Sequence, residues 1–417
     1  MKLTLKIFIL ASTVFFLTSC SLIEIKEQSV QLENVSYISG TIDSNNGTHP
    51  IYVVLLKQYE THVEVLNQTL LNDNNGYQFD LFPGRYIIGA YIDENKNGKR
   101  EHTEKSALYS QDVSLYQIIE VGSGEHSVLK SFSINKVINI RETLESGGQD
   151  KTTIHLSKAQ SNIGKIVSLD DGIFVKDNSV IGLWYPLTFL DKLGGGLLML
   201  QDYQQDKIPV IFVHGILGNP VEFRDLIQGL DRDKYQPWVL YYPSGIQLDL
   251  VSNYLLKSLN QLKEKHEFTD VYLIAHSMGG LMSRSFLMKH QEQDPEFDVS
   301  FYMTINSPLY GMTSATSGVE ASPIVIASWR DLATGSDYIK KVHKWQVPSN
   351  TAYHLVFSYL SGEEGDGVVP LSSQLSLSLQ DEATRIYGFQ AQHAQILKDD
   401  DFIQRVNKIL AKHYQER

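Results

Sequence analysis

Val271-Tyr272-Leu273-Ile274-Ala275-His276-Ser277-Met278-Gly279-Gly280-Leu281 changes character halfway along its length. Its first part is an unbroken apolar run, the pattern of a parallel strand covered on both faces. From Gly279 onward a helix is expected. The serine between them has no room for a loop and must sit on a sharp strand-to-helix turn. Such a turn strains the backbone of the central residue and crowds the positions two before and two after it. Both must be small, and Ala275 and Gly279 are. A helix N-cap would explain an isolated serine equally well. A strand before it and a helix after it favour a nucleophile held up on the turn, Ser277.

Working outward, a second apolar run at 208–213 ends in Val213-His214-Gly215-Ile216-Leu217-Gly218. Attack of a serine on an acyl carbonyl builds negative charge on the carbonyl oxygen, which calls for two backbone N–H groups aimed at it. Met278, next to the nucleophile, supplies one. The loop after the earlier strand should supply the other, with Gly215 and Gly218 letting the main chain approach closely. His214 reads as structural rather than as a proton-transfer base.

His-Gly at 214–215, Ala-His-Ser-Met-Gly-Gly at 275–280 and Asp-Gly-Val-Val at 366–369 occur in that order. From about Gly164 to the C-terminus the chain therefore resembles the bacterial lipase and esterase branch of the α/β-hydrolases, with alanine in place of the first glycine of G-x-S-x-G. The resemblance implies Ile216 as the second oxyanion donor and a chain order of serine, acid, histidine. Asn306-Ser307-Pro308-Leu309-Tyr310-Gly311 resembles the Thr-Pro-x-x-Gly loop of that branch, with serine replacing threonine.

In that order the acid is Asp366, in Glu363-Glu364-Gly365-Asp366-Gly367-Val368-Val369-Pro370. Glu363 and Glu364 compete locally. Asp366 is preferred because Gly367 makes the turn and Val368-Val369 are expected to anchor the loop. The base is His393, between a strand at 385–389 and a C-terminal helix. His413 falls in the last helical turn, and His343 and His354 precede the acid. His393 would take the Ser277 proton and return it to the leaving group while Asp366 orients the imidazole. Beyond the Asn306 loop, 312–350 is a long insertion whose Ile324, Val325, Ile326 and Trp329 fit either a cap lining an acyl site or ordinary helix core.

The rest of the chain frames this domain. Of 417 residues, 42% are hydrophobic and 20% charged, enough to bury a full core. Formal net charge is −12, with 36 Lys+Arg against 48 Asp+Glu, so nucleic acid is not expected as a partner. Lys2 and Lys6 precede an apolar run at 7–17, shorter than the roughly 20 residues a membrane span needs. The run ends in Leu17-Thr18-Ser19-Cys20, which resembles a bacterial lipobox and implies lipid attachment at Cys20, the one cysteine. Processing there would remove Lys2 and Lys6, taking −12 to −14. Residues 1–20 are thus expected to be a lipoprotein signal and 21–34 a polar tether. The protein would be lipid-anchored in the cell envelope, in the outer membrane if the cell is Gram-negative.

Residues 35–140 follow a period of two, with turn clusters at Ser44-Asn45-Asn46-Gly47 and Asn72-Asp73-Asn74-Asn75-Gly76, as in a small antiparallel sandwich. The segment from Asn75 to Tyr86 resembles transthyretin-like or carboxypeptidase-regulatory-like β-domains. Asp93, Asn95, Asn97, Lys99 (by its carbonyl) and Glu104 satisfy a calcium-loop spacing around Gly98. A strand precedes the loop where an EF-hand has a helix, and an Asn/Gly-rich hairpin tip yields much of the same pattern. Any Ca²⁺ there would be structural.

The expected architecture is a small antiparallel β-sandwich (35–140), a linker (141–160) and an α/β-hydrolase domain (161–417) built on a doubly wound, mainly parallel sheet. The expected function is hydrolysis of lipid or other hydrophobic carboxylic esters through a Ser277 acyl-enzyme, with no catalytic cofactor. An acyltransferase or thioesterase would use the same residues. A surface lipoprotein whose sandwich binds a protein partner, with the hydrolase domain as scaffold, is the alternative of another class, and nothing in the sandwich identifies such a partner.

Overall fold

The computed structural model describes residues 19–33, 35–43, 49–60, 62–71, 75–112, 114–140, 143–144, 153–293 and 296–416. The basic and apolar segments of the expected signal, the Cys20 side chain, the 44–47 turn and 72–74 of the second turn lie outside them. Among the described residues no helix is long and apolar enough to cross a membrane.

The stretch read as a tether is instead a helix, α1 (Ser19–Glu33). Ile25, Gln28, Ser29 and Leu32 are buried, and their spacing puts all four on one helical face. Two of the four are polar, so the stripe is faint in the sequence. Gln28 accepts from Leu187 N at 3.0 Å and donates to Thr188 Oγ1 at 2.7 Å. Glu33 pairs with Arg330, and Gln247 donates to the Leu32 carbonyl.

Strands β1 (Ser36–Asp43), β2 (Ile51–Gln58), β3 (His62–Leu70), β4 (Gly76–Leu81), β5 (Gly84–Ile92), β6 (Lys105–Leu108), β7 (Ile119–Val121), β8 (His126–Val128), β9 (Phe132–Ser133), β10 (Lys136–Val137) and β11 (Thr153–Leu156) form two sheets. One runs β4-β1-β8 with β9 also on β1; the other runs β10-β6-β5-β2-β3-β11 with β7 on β5. Most pairs are antiparallel, but β1 pairs in parallel with β8 and β9, and β3 with β11. Ile38, Ile42, Val53, Leu55, Phe79 and Ile88 fill the space between the sheets. Strand β11 falls within 141–160, so that segment is not simply a linker: its Thr153–Leu156 extends the second sheet.

The C-terminal sheet has the order β12-β14-β13-β15-β16-β17-β18. Its strands are β12 (Gly196–Met199), β13 (Ile208–Val213), β14 (Tyr235–Tyr241), β15 (Asp270–His276), β16 (Asp298–Ile305), β17 (Ala352–Ser358) and β18 (Arg385–Phe389). Only β12 runs antiparallel to its neighbour. The order turns back at β13, leaving crevices at the carboxyl ends of β13 and β15, where α/β sheets place their sites. Helix α2 (Leu248–His266) buries Leu248, Val251, Leu255, Leu259 and Leu262 against one face of the sheet. On that face it is joined by α3 (Met278–Glu292). Helix α4 (Asp400–Gln415) covers the other face with Phe402, Val406 and Leu410.

Candidate active site

Ser277 follows directly on β15 and opens α3. Its φ is +54° and ψ −131°, a conformation side chains rarely adopt, held by its N–H donating to the Ile305 carbonyl at 2.9 Å. Crowding on the turn has a particular source at Gly279. A Cβ there would lie 2.5 Å from the Val213 carbonyl oxygen and 2.6 Å from that of His214. The need for glycine is thus set by the end of β13.

Ser277 Oγ donates to His393 Nε2 at 2.9 Å, and His393 Nδ1 donates to Asp366 Oδ2 at 2.7 Å. Residues from the ends of β15, β17 and β18 therefore converge in one chain of hydrogen bonds. Asp366 is 1% exposed, and its Oδ1 accepts from Val368 N at 2.9 Å and Val369 N at 2.7 Å. Glu363 and Glu364 are exposed. Val369 is buried, but Val368 is 57% exposed, so Val369 alone anchors the loop through its side chain. Val368 contributes its main-chain N–H instead. Burial pushes the His393 pKa below the ordinary histidine value; the Asp366 hydrogen bond opposes this and the nearby His276 adds to it.

On the β13 side, Leu217 N donates to Ser244 Oγ and Gly218 N to the Gly215 carbonyl. Among the described residues the Ile216 N–H donates to no protein acceptor. Met278 N–H, at the first position of α3, has no acceptor inside the helix. His214 is fully buried. Its Nδ1 faces the Gly215 carbonyl at 2.9 Å, and its ring stacks on Tyr242 with centroids 4.3 Å apart. Both contacts suit a structural role.

Three side chains that carried no assigned role stand beside this chain. His276 Nδ1 is 2.9 Å from Glu222 Oε1, and His276 Nε2 is 3.1 Å from the His393 carbonyl oxygen. Asn306 Nδ2 donates to the same carbonyl at 2.9 Å, and the His393 N–H donates to the Asp366 carbonyl at 3.1 Å. Glu222 lies in a short 3-10 turn (Pro220–Phe223). Its sequence marks a helix start but nothing that connects it to His276.

Ile216 also belongs to an apolar cluster with Ile25, Leu183, Trp184, Tyr185, Ile324, Ile326 and Trp329. The 312–350 insertion forms short helices at Thr313–Ala321, Ala327–Leu332 and Asp337–Lys344. Of its four apolar residues noted above, Ile326 is buried and Ile324, Val325 and Trp329 are half-buried. Ile25 of α1 enters the cluster from outside the insertion.

The calcium-like loop joins β5 to β6. Asp93 Oδ2 accepts from Gly98 N at 2.7 Å and Oδ1 from Asn97 N at 3.2 Å. Glu104 accepts from Glu94 N at 2.9 Å and Glu101 N at 2.8 Å. Asn95 and Asn97 accept from Asn97 N and Lys99 N. These bonds close the loop on itself, and among the described residues no group of three or more His, Cys, Asp or Glu is set to hold a metal ion.

Residues 246–413 match the family described as "Alpha/beta hydrolase of unknown function (DUF915)". A Xenopus laevis protein described as lysosomal thioesterase PPT2-B is 31% identical over 180 residues, 39% of this chain and 58% of that protein. The chain thus spans a little under three-fifths of the length of this curated relative. Among solved structures, the mature form of Bacillus licheniformis lipase BlEst2 is 19% identical with a TM-score of 0.40, covering 50% of this chain and 94% of that one. The monoacylglycerol lipase of Paleococcus ferrophilus is 14% identical with a TM-score of 0.35, covering 49% and 94%. The strand order, the strained serine turn and the matched segment together make the C-terminal part of the chain an α/β-hydrolase fold.

Proposed function

We propose that this protein is a serine hydrolase that cleaves carboxylic esters of hydrophobic acids through a Ser277 acyl-enzyme. The observation that carries the reading is His393, which bridges Ser277 Oγ and Asp366 Oδ2 at 2.9 and 2.7 Å. In the first half-reaction His393 Nε2 takes the Ser277 proton as Oγ bonds to the acyl carbon. The proton then passes to the leaving alkoxide. The Ile216 and Met278 N–H groups stabilise the oxyanion of each tetrahedral intermediate. In the second half-reaction His393 takes a proton from water, which attacks the acyl-enzyme, and Ser277 Oγ recovers it as the acid departs. The apolar cluster around Ile216 and Trp329 supports a hydrophobic acyl group. Anchoring through a lipidated Cys20 would set this site at a membrane surface, where such esters reside.

A second reading, thioester hydrolysis, is favoured by the similarity to a protein described as a lysosomal thioesterase. It needs the same acyl-enzyme and differs only in the leaving group. One experiment addresses both. Wild type and Ser277→Ala are assayed on aryl esters of increasing chain length and on the matching thioesters, with a fluorophosphonate probe as an independent label of the serine. Rates rising with chain length and lost in Ser277→Ala are expected; undiminished hydrolysis by Ser277→Ala would sink the assignment.

A further inference from the structure

We propose that Glu222 and His276 form a positioning pair that holds the main chain of His393, and with it the base, in register with Ser277. The inference rests on the acyl-enzyme reading above. Both ring nitrogens of His276 face acceptors: the Glu222 carboxylate at 2.9 Å and the His393 carbonyl at 3.1 Å. A carbonyl oxygen only accepts, so Nε2 must carry a proton, and a second proton must lie between Nδ1 and Glu222. The His276 ring thus bridges the Glu222 carboxylate and the His393 main chain. It acts on the base at its backbone, where Asn306 Nδ2 donates at 2.9 Å and the Asp366 carbonyl holds the N–H at 3.1 Å.

This arrangement places two His–carboxylate pairs side by side, with the His276 and His393 ring centroids 4.8 Å apart. His276 is adjacent to the nucleophile in sequence, so one residue pair ties the serine turn to the histidine loop. The charged and titratable groups facing His393 are Asp366 from the loop after β17, His276 from the end of β15 and Glu222 from the turn after β13. His214 faces the His276–Glu222 pair from the end of β13, and burial lowers its pKa. His276 disfavours protonation of His393. Removing it should therefore raise the pKa of the base and move the acidic limb of kcat/KM to higher pH.

The test uses the full chain with Glu222→Gln, Glu222→Ala and His276→Phe, each with active sites counted by fluorophosphonate. In Glu222→Gln the amide can donate to Nδ1 while Nε2–H still reaches the carbonyl, so kcat per labelled site should stay within about threefold of wild type. Glu222→Ala and His276→Phe should lose about 10- to 100-fold in kcat per site with KM little changed, the effect of a misplaced base. His276→Phe should also shift the acidic limb up by about one pH unit. Unchanged kcat per site in Glu222→Ala, with the limb unmoved in His276→Phe, would overturn the inference. So would losses that merely track the labelled fraction. Glu222 is partly exposed, so Glu222→Ala decides the matter if His276→Phe fails to fold. A wild type that the probe does not label overturns the acyl-enzyme reading and this inference with it. A labelled wild type beside an unaffected Glu222→Ala overturns this inference alone.

Discussion

A Cβ on Gly215 would stand 2.7 Å from the Cβ of Ser277 and 3.1 Å from its Oγ. The loop proposed to hold the oxyanion and the proposed nucleophile are therefore in van der Waals contact, with no space for a methyl group between them. In Gly215→Ala the loop must withdraw and carry the Ile216 N–H away from the acyl oxygen. Loss of one such donor lowers kcat by about 10²- to 10³-fold. Steady-state kinetics on a short aryl ester should show that fall with KM nearly constant; wild-type kcat would exclude Ile216 as a donor.

Asp366 both accepts a hydrogen bond from His393 Nδ1–H and caps its own turn through the Val368 and Val369 N–H groups. Asp366→Asn retains an oxygen for the turn but presents an amide that favours the wrong imidazole tautomer. Its kcat should fall by about 10⁴-fold with little loss of thermal stability. A melting curve beside the rate separates the two effects.

The buried Arg284, 2% exposed, pairs with Glu382 through Nη1 at 2.8 Å and Nη2 at 2.9 Å, and donates to the carbonyls of Val342 and Trp345. It ties α3, the helix that Ser277 opens, to the end of the insertion. Glu382→Ala leaves a buried cation without its partner and should destabilise the fold by about 3–5 kcal/mol in urea unfolding. A change under about 1 kcal/mol would show that solvent reaches Arg284 in the variant.

Burial pushes the carboxyl of Asp331 up from 3.8 to about 7, while it accepts from Leu248 N at 2.7 Å at the start of α2. Between those two values the folded state holds a proton that the unfolded chain has released. This group's contribution to stability therefore falls as pH rises from about 4 to about 7. Asp331→Asn keeps an acceptor without the charge. Its Tm should exceed that of wild type at pH 8, and the difference should shrink toward pH 4; the opposite slope would contradict the assignment.

Ile25 shares its apolar cluster with Ile216 and Ile326, so α1 occupies space beside the loop of the proposed oxyanion donor Ile216. Ile25→Asp should release α1, seen as faster limited proteolysis near residues 21–33. It should also raise the rate on long-chain esters relative to short ones. An unchanged chain-length profile with α1 released would show that the cluster does not take the acyl chain.

Much of the α/β-hydrolase part was legible because its signals are local. The helical spacing of Leu248, Val251, Leu255, Leu259 and Leu262 reflects one helix face turned to the core, and the apolar runs at 208–213 and 271–275 each reflect one strand buried on both faces. The run Tyr235–Tyr241 is of the same kind and becomes β14, a strand the sequence reading passed over. Helix α1 was missed because Gln28 and Ser29 interrupt its stripe; both are buried through hydrogen bonds to partners far along the chain. Strand β11 was missed because it pairs with β3 across most of the sandwich and has little pattern of its own.

By itself, the sequence determined which residue types stand at the ends of strands and in what order: serine on a tight turn, then an aspartate before glycine, then a histidine before the last helix. Local backbone sterics and side-chain period require no more than neighbouring residues. Only the tertiary structure decided the rest. Glu222 meets His276 across 54 residues, and His276 meets the His393 carbonyl across 117. Gly279 is forced by the carbonyls of Val213 and His214. These relations depend on β13, β15 and β16 lying side by side, and sheet order arises from the packing of the whole domain rather than from any one segment.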